Sequence, residues 1–159
     1  MEVQRFKDLL DTSMKNRNLI IFQPTDYENV ISKELLARYW NTHVASAIEQ
    51  ASDILSSQDI TLGLCLISKW NDGPFLMQIS RLFHSFGHLT WIMGVPKEYM
   101  PDVLLPSFES RLITEYCYDY LTLPTEMDRL VFSLGHAYGM AEIAATAQKS
   151  FAAFALIPI

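Results

Sequence analysis

Within residues 74 to 93 the apolar side chains Phe75, Leu76, Ile79, Leu82, Phe83, Phe86 and Leu89 share one face when projected at about 100° per residue, while Arg81, His84 and His88 fall opposite. That spacing predicts an amphipathic helix. Asp72-Gly73-Pro74 opens it, because Pro suits a first helical turn, and Gly94 and Pro96 supply a stop. The stretch "FHSFGHLTW" sets two histidines into this segment, so the segment either holds a ligand or only packs a core.

The remainder of the chain reads with the same period. From Ser32, the residues Leu36, Trp40, His43, Ala47, Ala51 and Ile54 recur at three- and four-residue steps, which predicts a helix with His43 inside its apolar face. "SSQDITLGLCLISKW" opens with Ser56 and Asp59 in capping-box spacing and is then apolar in every direction, as a buried central helix would be. A penultimate helix is expected from about Pro101 to Leu121. A last one follows Leu123-Pro124-Thr125 and runs to about residue 150, with Met127, Leu130, Val131, Leu134, Tyr138, Ala141 and Ala145 on one face. A short helix near residues 2 to 15 and an irregular connection around Pro24 precede them, and the short "LIIF" is the sole strand-like run. The expected fold is therefore all-α, with about six or seven helices forming one domain over residues 1–159.

At 159 residues, half of them apolar, the chain can bury a sizeable core. Its net charge of -6 and scattered Lys and Arg residues argue against a nucleic-acid partner. Cys65 and Cys117 form no CxxC or Cys/His cluster and read as reduced, buried thiols, with no metal site. Neither a signal-peptide core nor an apolar run of about 18 residues is present, so a soluble, cytoplasmic protein without a membrane span is expected. The absence of GxGxxG, P-loop, GxSxG and HExxH patterns predicts that it is not an enzyme.

Two motifs give these helices an identity. "LGHAYGMAEIA", residues 134 to 144, resembles the last-helix motif of bacterial flavohaemoglobins through Gly135, Ala137, Tyr138 and Gly139. "GVPKEYM", residues 94 to 100, is similar to the turn after the haem-ligand helix in flavohaemoglobins and globin-coupled sensors. Counting by the spacings of these families places the proximal ligand at Leu89, Thr90 or Gly87, and never at His88. A globin-like chain of this length without a haem ligand resembles the non-haem globin sensor domains of sporulation-inhibitory proteins, which are homologous to the sensor domains of sporulation histidine kinases. The resemblance implies a fatty acid in an apolar tunnel where haem would sit, an anion such as chloride in a polar chamber nearby, and no cofactor. It further implies a homodimer through the last two helices and inhibition of sporulation by competition for the signal of the sensor histidine kinase. The alternative is a haem-binding globin that binds or senses a gas, with His88 as axial ligand.

An empty haem-sized cavity would be costly, and an apolar chain with a carboxylate head would fill it. Trp40, His43, Leu66, Trp70, Phe86, Trp91, Phe108 and Leu112 are the expected lining. Arg81, His84 and His88 form a polar stripe for the carboxylate or the anion, His43 is a second polar candidate, and Tyr39, Tyr116 and Tyr138 offer hydroxyl donors. On the last helix, Phe132, Met140 and Ile143 make a second apolar face with His136 among them. It predicts a dimer contact in which helices 101 to 121 and 125 to 150 build a four-helix bundle.

Overall fold

The computed structural model describes residues 17–27, 30–38 and 40–155. Strands and helices alternate along the chain. They are β1 (Arg17–Phe22), α1 (Val30–Arg38), β2 (Trp40–Ala45), α2 (Ile48–Ser57), β3 (Leu62–Leu66), α3 (Gly73–Ser85) and β4 (Thr90–Pro96). After β4 come a 3-10 turn (Lys97–Tyr99), the single-turn helices α4 (Met100–Val103) and α5 (Phe108–Arg111), and a π turn (Leu112–Tyr116). β5 (Cys117–Leu123) and the long α6 (Met127–Ala155) complete the order.

The strands form one five-stranded sheet in the order β2-β1-β3-β4-β5, and every pairing is parallel. The all-α globin expectation is thus corrected to α/β. The reason lies in β3 and β4. All five residues of β3, Leu62 to Leu66, are buried, and so are Trp91 to Val95 in β4. A central parallel strand is covered on both faces, so it reads as an unbroken apolar run, and such a run cannot be told from a buried helix by period alone.

Alternation along each strand sorts the core into two layers. Ile20 and Phe22 of β1 join Cys65, Trp91 and Met93 beneath α2 and α3, which contribute Ala51, Phe75, Leu76, Ile79, Leu82 and Phe83. Leu19 and Ile21 join Leu62, Leu64, Leu66 and Ile92 beneath α1 and α6, which contribute Leu35, Leu130, Leu134 and Ala137. Crossing helices on both faces are what a parallel sheet requires. The layer beneath α2 and α3 is closely filled at Gly63, where an added Cβ would clash with the six-membered ring of Trp91.

Where the helical period was read through a strand, it misplaced residues. The expected helix from Ser32 to Ile54 is α1, then β2, then α2, so Trp40 lies in the α1/α6 layer while His43 points to the other side of the sheet. The expected helix from 74 to 93 ends at Ser85 as α3, capped at its start by the Asp72 carboxylate, which accepts from the Phe75 N–H at 3.2 Å. Residues 101 to 121 are two short helices, the π turn and the edge strand β5, so the four-helix bundle through the last two helices is corrected as well. A helix near residues 2 to 15 falls outside the described residues. Among the described residues no helix is long and apolar enough to cross a membrane.

Candidate functional site

The strand order places β1 between β2 and β3, so the chain leaves β1 toward one side of the sheet and later fills the other. Beyond the carboxyl ends of the two strands flanking such a switch point, the connecting loops diverge and leave a crevice, the usual ligand position in open α/β sheets.

Gln23 and Pro24, both buried, follow β1, and the Gln23 N–H donates to the Ala45 carbonyl at 3.0 Å. The chain then turns, with the Tyr27 N–H donating to the Pro24 carbonyl at 3.1 Å, and exposes Thr25 and Asp26. β3 ends in Leu66 and is followed by Ile67, both buried, with the Ile67 N–H donating to the Gly94 carbonyl at 3.0 Å. Ser68, half-buried, and Lys69, exposed, follow. β4 delivers Pro96, Lys97 and Glu98, and β5 delivers Leu123 with a cis bond to Pro124. The crevice therefore has an apolar floor and a sparse polar rim. Among the described residues it has the carboxylates of Asp26 and Glu98, both exposed, whereas that of Asp72 caps α3. Among the described residues no three His, Cys, Asp or Glu side chains come together as a metal site. Beside the crevice, between α1 and the start of α6, an open groove of about 460 Å³ runs over Leu123 and Pro124.

These features decide the chain's relatives. Residues 8–135 match the VpsR domain. The chain belongs to the VpsR domain family. No curated protein matches it. NtrX from Brucella abortus in complex with ATP superposes with a TM-score of 0.65 at 15% identity, covering 82% of this chain and 29% of that one. The signal receiver domain of an HD domain-containing protein from Pseudomonas fluorescens Pf-5 gives 0.60 at 18% identity, covering 82% and 93%. A CheY-like response regulator receiver domain protein from Methanospirillum hungatei JF-1 gives 0.61 at 11% identity, covering 81% and 99%. The chain thus shares the fold of receiver domains, and it spans about 29% of the length of NtrX.

This corrects the globin resemblance and the functions it implied, both the fatty-acid sensor of sporulation and the haem globin. The interior is a sheet with side chains packed on both faces, and His88 is exposed in the turn between α3 and β4, its ring 6.2 Å from that of Phe86. The residues expected to line a tunnel are dispersed. Trp40 begins β2 at the amino end of the sheet, edge-on to Tyr138 at 5.8 Å, with the Arg17 guanidinium 4.6 Å from the Tyr138 ring. The buried indole N–H of Trp40 has no hydrogen-bond partner among the described residues. His43 lies 3.3 Å from the Asn18 carboxamide oxygen, also toward the amino end. Trp91 is buried in β4, and its indole N–H donates to the Phe86 carbonyl at 3.1 Å. Arg81 and His84 are exposed on α3. Phe108, Leu112 and Tyr116 belong to the connection between β4 and β5, where Leu112 is buried and Tyr116 meets Phe83 at 5.9 Å. Tyr39 lies outside the described residues. Only Leu66 and Trp70 fall near the crevice.

Phe132, His136, Met140 and Ile143 are all exposed along α6, and the His136 Nδ1 lies 3.0 Å from the Tyr118 hydroxyl on β5. Burial pushes the Cys117 thiol up to about 12 and that of Cys65 well above its ordinary range, the latter aided by Cys117. Neither is a thiolate nucleophile near neutrality.

Sequence reasoning passed over Gln23, Ser68, Lys69, Pro96 and Pro124. A signal for them was present. "LIIFQPTD", "LGLCLISKWND" and "WIMGVPKEY" each place a short apolar run before a polar or Pro-containing turn, the pattern of buried strands ending at one edge.

Proposed function

We propose that this VpsR domain is a cytoplasmic regulatory module that works by contact with signalling proteins at the carboxyl edge of its sheet, without accepting a phosphoryl group at the end of β3. The reading covers residues 1–159 as one unit, assigns no enzymatic activity and needs no cofactor. The fold supports a place in phosphorelay-type regulation, since its structural neighbours include response regulator receiver domains, so histidine kinases or response-regulator components are the partners considered.

One observation carries the distinction. Forming an aspartyl phosphate requires a carboxylate that faces the crevice, and a divalent cation there requires further oxygen ligands. The central strand β3 instead ends in the buried Leu66, and the buried Ile67, a hydroxyl at Ser68 and a cation at Lys69 follow it. Side chains packed into the core offer no nucleophile for phosphorus, and the exposed Thr25, Asp26, Lys69, Lys97 and Glu98 around them are what a protein partner would meet. Its regulatory state would then depend on which partner is bound.

Intact-mass analysis after incubation with acetyl phosphate and Mg2+ tests this reading. The expected result is an unchanged mass. Stoichiometric, hydroxylamine-labile gain of one phosphoryl group, mapped to Asp26 or Glu98, would overturn it.

A further inference from the structure

The groove between α1 and the start of α6 has a composition that selects its occupant. Leu123, which is 8% exposed, forms its floor together with the half-buried Ile31 and Met127. Two carboxylates, Glu34 from α1 and Glu98 from the turn after β4, stand in its wall, and among the described residues no basic side chain lines it. A purely apolar occupant would leave those carboxylates facing it without a partner, and an anionic one would be repelled by both. An alkyl stem ending in a cation satisfies floor and wall together, as lysine and arginine side chains do when they lay methylenes on apolar surface and keep the charged head among acceptors. The volume, about 460 Å³, falls within the range of roughly 300–1,000 Å³ in which sites take one compact ligand or a few side chains.

We propose that this groove is the docking site for a segment of a partner protein that carries a lysine or arginine between apolar residues, its cation held by Glu34 and Glu98. The proposal rests on the reading of the chain as a contact-type regulatory module and names the chemistry of the partner. It leaves the phosphoryl question to the mass measurement. A gain of phosphoryl mass would overturn the functional reading while leaving the groove's chemistry to be judged by binding.

The binding test is an NMR titration of the full chain, labelled with nitrogen-15, with hexylguanidinium, hexanoate and hexanol as separate probes. A second titration uses a blocked amphipathic peptide of leucine and arginine, alongside the same peptide with glutamine at each arginine position. Hexylguanidinium and the arginine peptide are expected to give saturable shifts at the amides of Ile31, Glu34, Glu98 and Thr125, with hexanoate giving none. The combined substitution Glu34→Gln and Glu98→Gln is expected to weaken both by at least about tenfold, in line with loss of two charge-assisted contacts. Both residues are exposed, so the variant keeps its core. Hexanoate or hexanol binding as strongly as the cation, shifts mapping away from the groove, or peptide affinity unchanged in the variant or with glutamine would each overturn the proposal. Shifts at the same amides on raising protein concentration alone would show a second copy in the groove and would also overturn it.

Discussion

Replacing Gly63 by alanine adds one methyl group where the two-layered core has no room for it. The new Cβ would clash with the six-membered ring of Trp91, a side chain that is 1% exposed, tilted at 43° to Phe83 with ring centroids 5.0 Å apart and tied through its indole N–H to the Phe86 carbonyl at 3.1 Å. The ring must therefore move. Forced repacking of a filled core costs about 1–3 kcal/mol, and losing the indole hydrogen bond adds roughly 0.5–1.5 kcal/mol. The smaller entropy of the unfolded alanine chain returns about 0.4–1 kcal/mol. The expected net loss is about 0.5–4 kcal/mol, set against the roughly 5–15 kcal/mol that holds a domain folded. Urea unfolding followed by tryptophan fluorescence measures it as a lower midpoint with an unchanged slope. Gly135→Ala is the matched control, since an added Cβ there meets nothing within 4 Å. In a helix that substitution should stabilise by about 0.8–1 kcal/mol. A Gly63→Ala protein as stable as the parent, or a Gly135→Ala protein destabilised as much as Gly63→Ala, would refute the packing of β3 against β4 described above.

On α6, Leu134→Ala should cost about 2–5 kcal/mol because Leu134 is fully buried against the sheet. Phe132→Ala, at a position 77% exposed, should lie within about 0.5 kcal/mol of the parent by thermal unfolding. The thiols set a pH dependence. Since Cys117 is held up to about 12 in the folded chain, the unfolded chain loses its thiol proton first. Stability should then fall as pH rises from about 8.5, the ordinary thiol value, toward about 12. Cys117→Ser should lessen that decline in guanidinium titrations, and an equal slope would contradict the assignment. Asp72→Ala removes the cap of α3 and should cost about 0.5–2 kcal/mol, whereas Asp72→Asn should cost less.

What the sequence made legible was local. Asp72-Gly73-Pro74 does start a helix, because the carboxylate reaches the Phe75 N–H and Pro74 lies in the first turn. The fold was misread where one pattern serves two structures. Leu36, Trp40, His43 and Ala47 are spaced three or four apart, yet the chain bends into β2 at Trp40, and strand alternation sends Trp40 and His43 to opposite faces. "LGLCL" is apolar in every direction because β3 is covered on both faces of the sheet, Cys65 in one core layer and Leu62, Leu64 and Leu66 in the other. "LGHAYGM" is helical, but Gly, Ala and Tyr in a helix mark no particular fold, so a likeness confined to that run and "GVPKEYM" carried the reading toward globins. The edge residues Gln23, Ser68 and Pro96 acquire a common location only through the parallel order of the strands. Nothing in the spacing of distant segments announces that order.

The central proposal is that the described residues at the carboxyl edge of this sheet accept no phosphoryl group. Amide NMR of the full chain in Mg2+ and beryllofluoride, a mimic of a carboxylate-bound phosphoryl group, tests it most directly. The account predicts unchanged resonances for Gln23, Ser68, Lys69 and Lys97. Saturable shifts concentrated at those amides, abolished by Asp26→Asn, would contradict it.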